Sequence, residues 1–237
     1  MSHEDAVRSR FGATAEGVAA HAREQIEQVR EQLQSFLAPL SGDEHALDSG
    51  TGAGTLALAL APLVGDVVGV DLVPELLDAA RSGAPANTTF IEGDVMDLPF
   101  EGFTFDLACS RRTLHHVSRP QLALSELARV TKPGGRIFVD DQIAPLDPLE
   151  AFELDRFERG RDPSHHRTLS DGDFRDLFAA NNLVLVRNQR FTHTRELDYY
   201  LGLAGCTGED AERVKDLSPG NRNQYVAESC WYLCAKR

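Results

Sequence analysis

The stretch Ala46-Leu47-Asp48-Ser49-Gly50-Thr51-Gly52-Ala53-Gly54 decides how the rest of the chain is read. An apolar start, a single acid and three glycines at alternate positions precede the helical apolar run Thr55–Leu63. The pattern predicts a strand that ends in a tight turn and opens a helix. Glycines at Gly50 and Gly52 let backbone approach a ligand where a Cβ would collide. The helix start then offers unpaired N–H groups to that ligand.

Working outward, strand and helix signals alternate. Val67–Val70 is a β-branched strand ending at Asp71, and Pro74 opens a helix through Ala80. Thr88–Ile91 and Phe103–Cys109 read as strands, Gln121–Val130 as a helix stopped by Pro133-Gly134-Gly135, and Arg136–Val139 as a fifth strand. Helices of about ten residues between strands argue for βαβ units and an α/β, doubly wound parallel sheet. Val184–Thr192 and Ser229–Ala235 add two strands, with Thr194–Leu217 expected as a helical insertion between them. Residues 1–43 read as an amphipathic helical lead-in, with Val18, Ala22, Ile26, Val29, Leu33, Phe36 and Leu37 at three- and four-residue steps. The expected division is a helical lid over 1–43, a ligand-binding core over 44–143 and a sheet-completing, helix-capped part over 144–237, together one domain.

The acids at the strand ends suggest the shape of the ligand. A dinucleotide would want G-x-G-x-x-G, but counting from Gly50 the third glycine position is Thr55, and counting from Gly52 it is Ala57. Asp48 beside the turn would repel a pyrophosphate and suit an ammonium group. Asp71 is placed to accept ribose hydroxyls. Asp94, after the third strand, could accept from an adenine amino group, with Met96 packing on the ring. One elongated ligand satisfies all three: amino acid, ribose, adenine.

Taken in order, Asp48-x-Gly50-x-Gly52-x-Gly54, Asp71, Gly93-Asp94 with Leu98-Pro99-Phe100, Phe105-Asp106 and Lys132-Pro133-Gly134-Gly135 resemble the class I S-adenosylmethionine-dependent methyltransferases. Within them the chain resembles the type 11 small-molecule branch that includes the ubiquinone and menaquinone biosynthesis C-methyltransferases. Arg111-x-x-Leu114-His115-His116 and Arg161-Asp162-Pro163-Ser164-His165 resemble an uncharacterised bacterial subgroup of that branch. Thr51 stands where many relatives carry cysteine; backbone does the work there.

The resemblance implies a Rossmann-like, mostly parallel seven-stranded sheet with an antiparallel last strand. It also implies S-adenosyl-L-methionine as cofactor, held by Asp48, Gly50, Thr51, Gly52, Asp71, Leu72, Asp94, Val95, Met96, Ser110 and Arg111. Catalysis is expected from His115 or His116, which follow the fourth strand. Adjacent residues are expected to point apart, so only one would face the methyl group. Asp140 and Asp141 are further candidates for a base, and His165 and His166 for ordering a lid. His3, His21, His45 and His193 belong to no evident constellation. No ligand spacing demands a metal, and none is expected. A protein that binds the cofactor without transferring methyl, a cyclase or a regulatory partner, is the alternative reading.

Composition limits the partners. The chain has 237 residues and a formal charge of −13, which disfavours nucleic acid and anionic membranes. The longest apolar run, Leu56–Val64, falls far short of the ~18 residues of a membrane helix. The N-terminal MSHEDAVRSR has no signal-peptide core, so a cytoplasmic location is expected. Cys109, Cys206, Cys230 and Cys234 form no C-x-x-C pair and are expected to be buried; in a strand Cys230 and Cys234 would stand ~13 Å apart.

Overall fold

The computed structural model describes residues 2–220 and 223–237; Met1, at the head of the expected lid, and Asn221 and Arg222 lie outside the described residues. The Gly-rich turn joins β1 (His45–Ser49) to α3 (Thr55–Leu60) as its sequence demands. Gly50 and Gly52 have φ of +78° and +53°, the left-handed region that costs any L side chain. A Cβ on Gly50 would lie 2.3 Å from Thr113 Cγ2, whereas one on Gly52 would find only Leu76 Cδ1, at 4.0 Å.

Seven strands form one sheet in the order β3-β2-β1-β4-β5-β7-β6. The others are β2 (Asp66–Asp71), β3 (Thr88–Glu92), β4 (Phe105–Arg111), β5 (Thr131–Gln142), β6 (Leu183–Glu196) and β7 (Gln224–Lys236). Pairing is parallel from β3 through β5, and β7 runs antiparallel to both β5 and β6. The sheet class and the reversed last strand match the expectation. The chain leaves β1 in one direction through β2 and β3, then returns to lay β4 on its other side. That reversal opens a crevice at the carboxyl ends of β1 and β4.

Alternation along the strands feeds two layers. Ala46, Val67, Leu107, Cys109 and Phe138 face α2 (Ala15–Phe36), α3 and α4 (Pro74–Arg81). Leu47, Val70, Ala108, Ile137 and Val139 face α5 (Pro120–Val130) and α7 (Asp171–Ala180). In α2, Ala19, Ala22, Val29, Leu33 and Phe36 are the buried positions, close to the predicted stripe. The lead-in is broken at Thr14, so α1 (His3–Ala13) is a separate helix, capped by Ser2 and with no fully buried residue. All four cysteines are free and buried.

The last two strands run longer than predicted. β5 ends at Gln142 opposite Ser229, so β6 beyond Phe191 pairs only with β7, and this hairpin overhangs the carboxyl edge of the sheet. The helical insertion therefore begins at Leu197 rather than Thr194, with α8 (Leu197–Gly202) and α9 (Gly208–Lys215). Together with α6 (Pro148–Arg161) they bury a cluster of their own around Phe157, Tyr200 and Tyr225. Phe152 and Tyr199, expected to serve the lid interior, are exposed. Among the described residues no helix is long and apolar enough to cross a membrane.

Candidate functional site

A single cavity of about 460 Å³ lies over the carboxyl ends of the strands. One arm runs along the ends of β1, β2 and β3 and is lined by Asp48, Gly50, Thr51, Gly52, Asp71, Leu72, Asp94, Val95 and Met96. Arg111, from the end of β4, lines it too, so ten of the residues expected to bind the cofactor come together; Ser110 does not. It is buried, and strand alternation turns its side chain from the face on which Arg111 meets the cavity.

The carboxylates of this arm are already partly engaged. Asp48 Oδ2 accepts from Thr51 Oγ1 (2.7 Å) and Ala57 N (3.0 Å), while its buried Oδ1 has no hydrogen-bond partner among the described residues. Burial is the main force on Asp48; it outweighs those hydrogen bonds and pushes the pKa up to about 6. Asp71 Oδ2 accepts from Gly52 N (2.7 Å) and Oδ1 from Val73 N (3.0 Å), tying the glycine turn to the start of α4. Burial raises the Asp71 pKa against those same bonds. Asp94 Oδ1 accepts from Met96 N (2.8 Å), which folds Met96 back toward the cavity.

The other arm is walled by α1, α2, the segment after β4, and the β6–β7 overhang. His115 and His116 lie in a 3-10 turn (Leu114–His116), and their rings sit side by side, centroids 4.1 Å apart. The expectation that neighbours diverge fails here, because this turn is shaped by bonds to other segments; both rings line the cavity. His115 Nδ1 lies 2.5 Å from Asp141 Oδ1, and Asp141 Oδ2 accepts from Leu114 N (2.8 Å). Burial pushes Asp141 up, but His115, Arg112 and the hydrogen bonds overcome it and hold its pKa below the carboxylate range. His116 Nδ1 meets Ser164 Oγ (3.0 Å) and Ser164 O (3.2 Å), and Ser164 Oγ donates to Asp162 Oδ1 (2.5 Å). With that hydroxyl proton on Asp162, Nδ1 of His116 is the donor and Nε2 keeps the lone pair. Burial, then the neighbouring His115, drives the His116 pKa well below the imidazole range, so the ring is neutral at pH 7.

The motif Arg161-Asp162-Pro163-Ser164-His165 thus backs the histidine pair. His166 N and Arg167 N both donate to His115 O, at 2.8 and 3.2 Å. His165 turns away from the cavity to Asp155 Oδ1 (2.9 Å). Asp140, not Asp141, lines the cavity.

Three histidines without an evident constellation in the sequence also belong here. His3, His21 and His193 line the cavity, and His3 Nε2 lies 2.6 Å from His116 O. His193 Nε2 contacts Arg112 Nη2 (3.1 Å) and Ser229 Oγ (2.8 Å), and burial followed by Arg112 pushes its pKa down to about 4. His45 alone lies elsewhere, stacked on Phe105. The alternation Phe191, His193, Arg195 was the available signal: these positions share one strand face. Among the described residues no group of three or more His, Cys, Asp or Glu could hold a metal ion.

Residues 47–139 match the methyltransferase domain family. An uncharacterized methyltransferase of Bacillus subtilis (strain 168), YcgJ, is 34% identical over 181 residues, 75% of this chain and 72% of that protein. The ubiquinone/menaquinone biosynthesis C-methyltransferase UbiE of Syntrophotalea carbinolica is 32% identical over 185 residues, 70% of this chain and 78% of that protein. The crystal structure of the Bacillus YcgJ protein superposes with a TM-score of 0.81 at 27% identity, covering 88% of this chain and 98% of that one.

Proposed function

Because the chain belongs to the type 11 branch of the class I S-adenosylmethionine-dependent methyltransferases, near a bacterial subgroup, we propose that it methylates a small-molecule acceptor held in the second arm of the cavity. The observation that carries this is the partnerless oxygen of Asp48. A buried carboxylate oxygen facing a ligand cavity calls for a donor, and the cofactor's ammonium is one. The remaining lone pairs of Asp71 suit ribose hydroxyls, Asp94 and Met96 suit adenine, and Arg111 suits the cofactor carboxylate. The residues present therefore fit S-adenosylmethionine.

When bound, S-adenosylmethionine supplies an electrophilic methyl group on a sulfonium. The protein's part is positioning, water exclusion and proton handling. Helix α1 places Val7, Arg10 and Phe11 over the cavity, and α2 places Val18, His21, Ala22 and Gln25. Phe11 meets the His116 ring edge-on, centroids 5.1 Å apart. These helices, with α6 and α8, form the lid of the proposed arrangement. His115 and His116 each have Nδ1 committed to a hydrogen bond, which leaves Nε2 as the nitrogen able to take a proton from the acceptor. Asp141 and the Ser164–Asp162 pair hold those tautomers and would steady the charge that forms.

Calorimetric titration with S-adenosylhomocysteine tests the cofactor assignment: one saturable site is expected. Asp71→Ala should weaken it by about 1.5–3 kcal/mol through lost charge-assisted hydrogen bonds. Tight nicotinamide-dinucleotide binding with none for S-adenosylhomocysteine would overturn the assignment.

A further inference from the structure

The charge of the chain is inverted inside the acceptor arm. Asp and Glu outnumber Lys and Arg by 37 to 24 overall, yet Arg10, Arg111, Arg112, Arg161 and Arg195 all line the cavity. Their carboxylate partners are fewer. Asp162 pairs with Arg10 (2.7 Å) and lies 3.9 Å from Arg161. Glu158, behind the wall, pairs with Arg161 (2.9 Å). Asp140 serves both Arg111 (3.1 Å) and Arg112 (3.6 Å). Among the described residues no carboxylate lies within ion-pairing reach of Arg195, whose guanidinium rests 5.3 Å from the Tyr200 ring centroid. Glu4 lines the cavity but is exposed at its rim.

The argument rests on the cofactor reading above. In that reading the cofactor's ammonium and carboxylate meet Asp48 and Arg111, and Asp71 and Asp94 are used by ribose and adenine. The acceptor arm then keeps Arg10, Arg112, Arg161 and Arg195 against Asp140, Asp162 and Glu158. The sulfonium adds a further positive charge beside them. A partly buried, uncompensated guanidinium is costly unless an anion joins it.

The strand geometry says where. Phe191, His193 and Arg195 line the cavity from alternate positions of β6, spread over ~13 Å. At the inner end Phe191 packs against Trp231, centroids 5.1 Å apart, giving an apolar surface. At the outer end stands Arg195. Between them, His193 Nε2 takes a proton from Arg112, so its Nδ1 carries the hydrogen and is a neutral donor. We propose that the acceptor carries an oxyanion, a carboxylate or a phosphate, bound by Arg195 and Arg112 with His193, while its apolar part lies on Phe191 and Trp231. Arg195 is then a specificity-determining residue rather than a catalytic one.

The test titrates the S-adenosylhomocysteine-loaded protein with benzoate, phenyl phosphate and the neutral benzamide. At least one anion should bind saturably and about tenfold or more tighter than benzamide. The tighter of the two anions identifies carboxylate or phosphate. Arg195→Gln should erase the preference while S-adenosylhomocysteine still binds, which also shows that the variant is folded, and Arg195→Lys should restore part of it. Equal binding of anions and benzamide, no anion binding, or undiminished preference in Arg195→Gln overturns the proposal alone. Failure of S-adenosylhomocysteine to bind the native protein overturns the cofactor reading and this inference with it.

Discussion

Replacing Gly52 by Ala separates ligand binding from folding, because its missing side chain points into space the protein itself does not fill. The backbone there has φ +53°, so an alanine pays roughly 1–2 kcal/mol for the left-handed conformation. Sterically the new methyl meets nothing nearer than Leu76 Cδ1 at 4.0 Å, so the apo protein carries no further penalty. With cofactor in place, the methyl competes for its volume. Overpacking costs about 1–3 kcal/mol, or roughly 5- to 150-fold in Kd. Gly50→Ala is the contrast: at 2.3 Å from Thr113 Cγ2 its Cβ collides with protein, whose Thr113 Oγ1 also bonds Gly50 O at 3.1 Å. That variant should lose folding stability first, by clearly more than Gly52→Ala. Urea unfolding of both apo variants and calorimetry with S-adenosylhomocysteine read the two effects separately. Native affinity in Gly52→Ala, alongside the expected small loss of stability, would refute the claim that the turn approaches a ligand.

Three further outcomes are expected. Asp48 is protonated in the folded apo state up to about pH 6, above its ordinary value of 3.8. Its contribution to stability is therefore full below pH ~4 and lost as pH rises through 6, by up to ~3 kcal/mol. Asp48→Asn should remove that loss in urea unfolding, and native S-adenosylhomocysteine affinity should rise across the same window as the carboxylate ionises; a pH-independent affinity would count against the ammonium contact. Amide exchange in α1, which buries no residue fully, should slow when S-adenosylhomocysteine is added; unchanged exchange over α1 would remove it from the lid. Once an acceptor is identified, losing the proton-accepting histidine should lower kcat by ~10²–10⁴-fold, and turnover surviving His115→Ala/His116→Ala would end that role for the pair.

What could be read from the sequence was the part governed by local rules. The Asp48–Gly54 turn, the acids closing successive strands and the alternation of strand and helix are each set by neighbours in the chain. They yielded the sheet, its seven strands and most of the first arm. Ser110 was placed wrongly because proximity in sequence to Arg111 means opposite faces in a strand. The histidine pair was misjudged for the converse reason: its turn is bonded to Asp141, Ser164 and the amides of His166 and Arg167, distant partners that no spacing rule reveals. His3, His21 and His193 carried no motif, since they meet only where α1, α2 and β6 converge on the cavity.

Charge makes the same point more sharply. A formal charge of −13 argues against long anionic partners such as nucleic acid, yet it says nothing about a site walled off from that surface. Surface carboxylates are screened by solvent within ~8–10 Å, whereas guanidinia in a partly buried cavity act on what enters it at close range. Arg111 and Arg112 come from one strand end, but Arg10, Arg161 and Arg195 arrive from three other elements, so the sequence shows no basic cluster to count. The fold assembles one by converging elements on the open edge of the sheet. If the acceptor is anionic, the acidic exterior would slow its approach and the cavity would hold it. Screening long-range repulsion with salt should then speed association, while weakening the short-range contacts at Arg195 and Arg112 far less. Stopped-flow association of whichever probe anion binds, followed from low to moderate salt, would show this as a rising on-rate; an on-rate that falls with salt would mean the entrance itself is attractive, and that the field of the arginines reaches beyond the cavity.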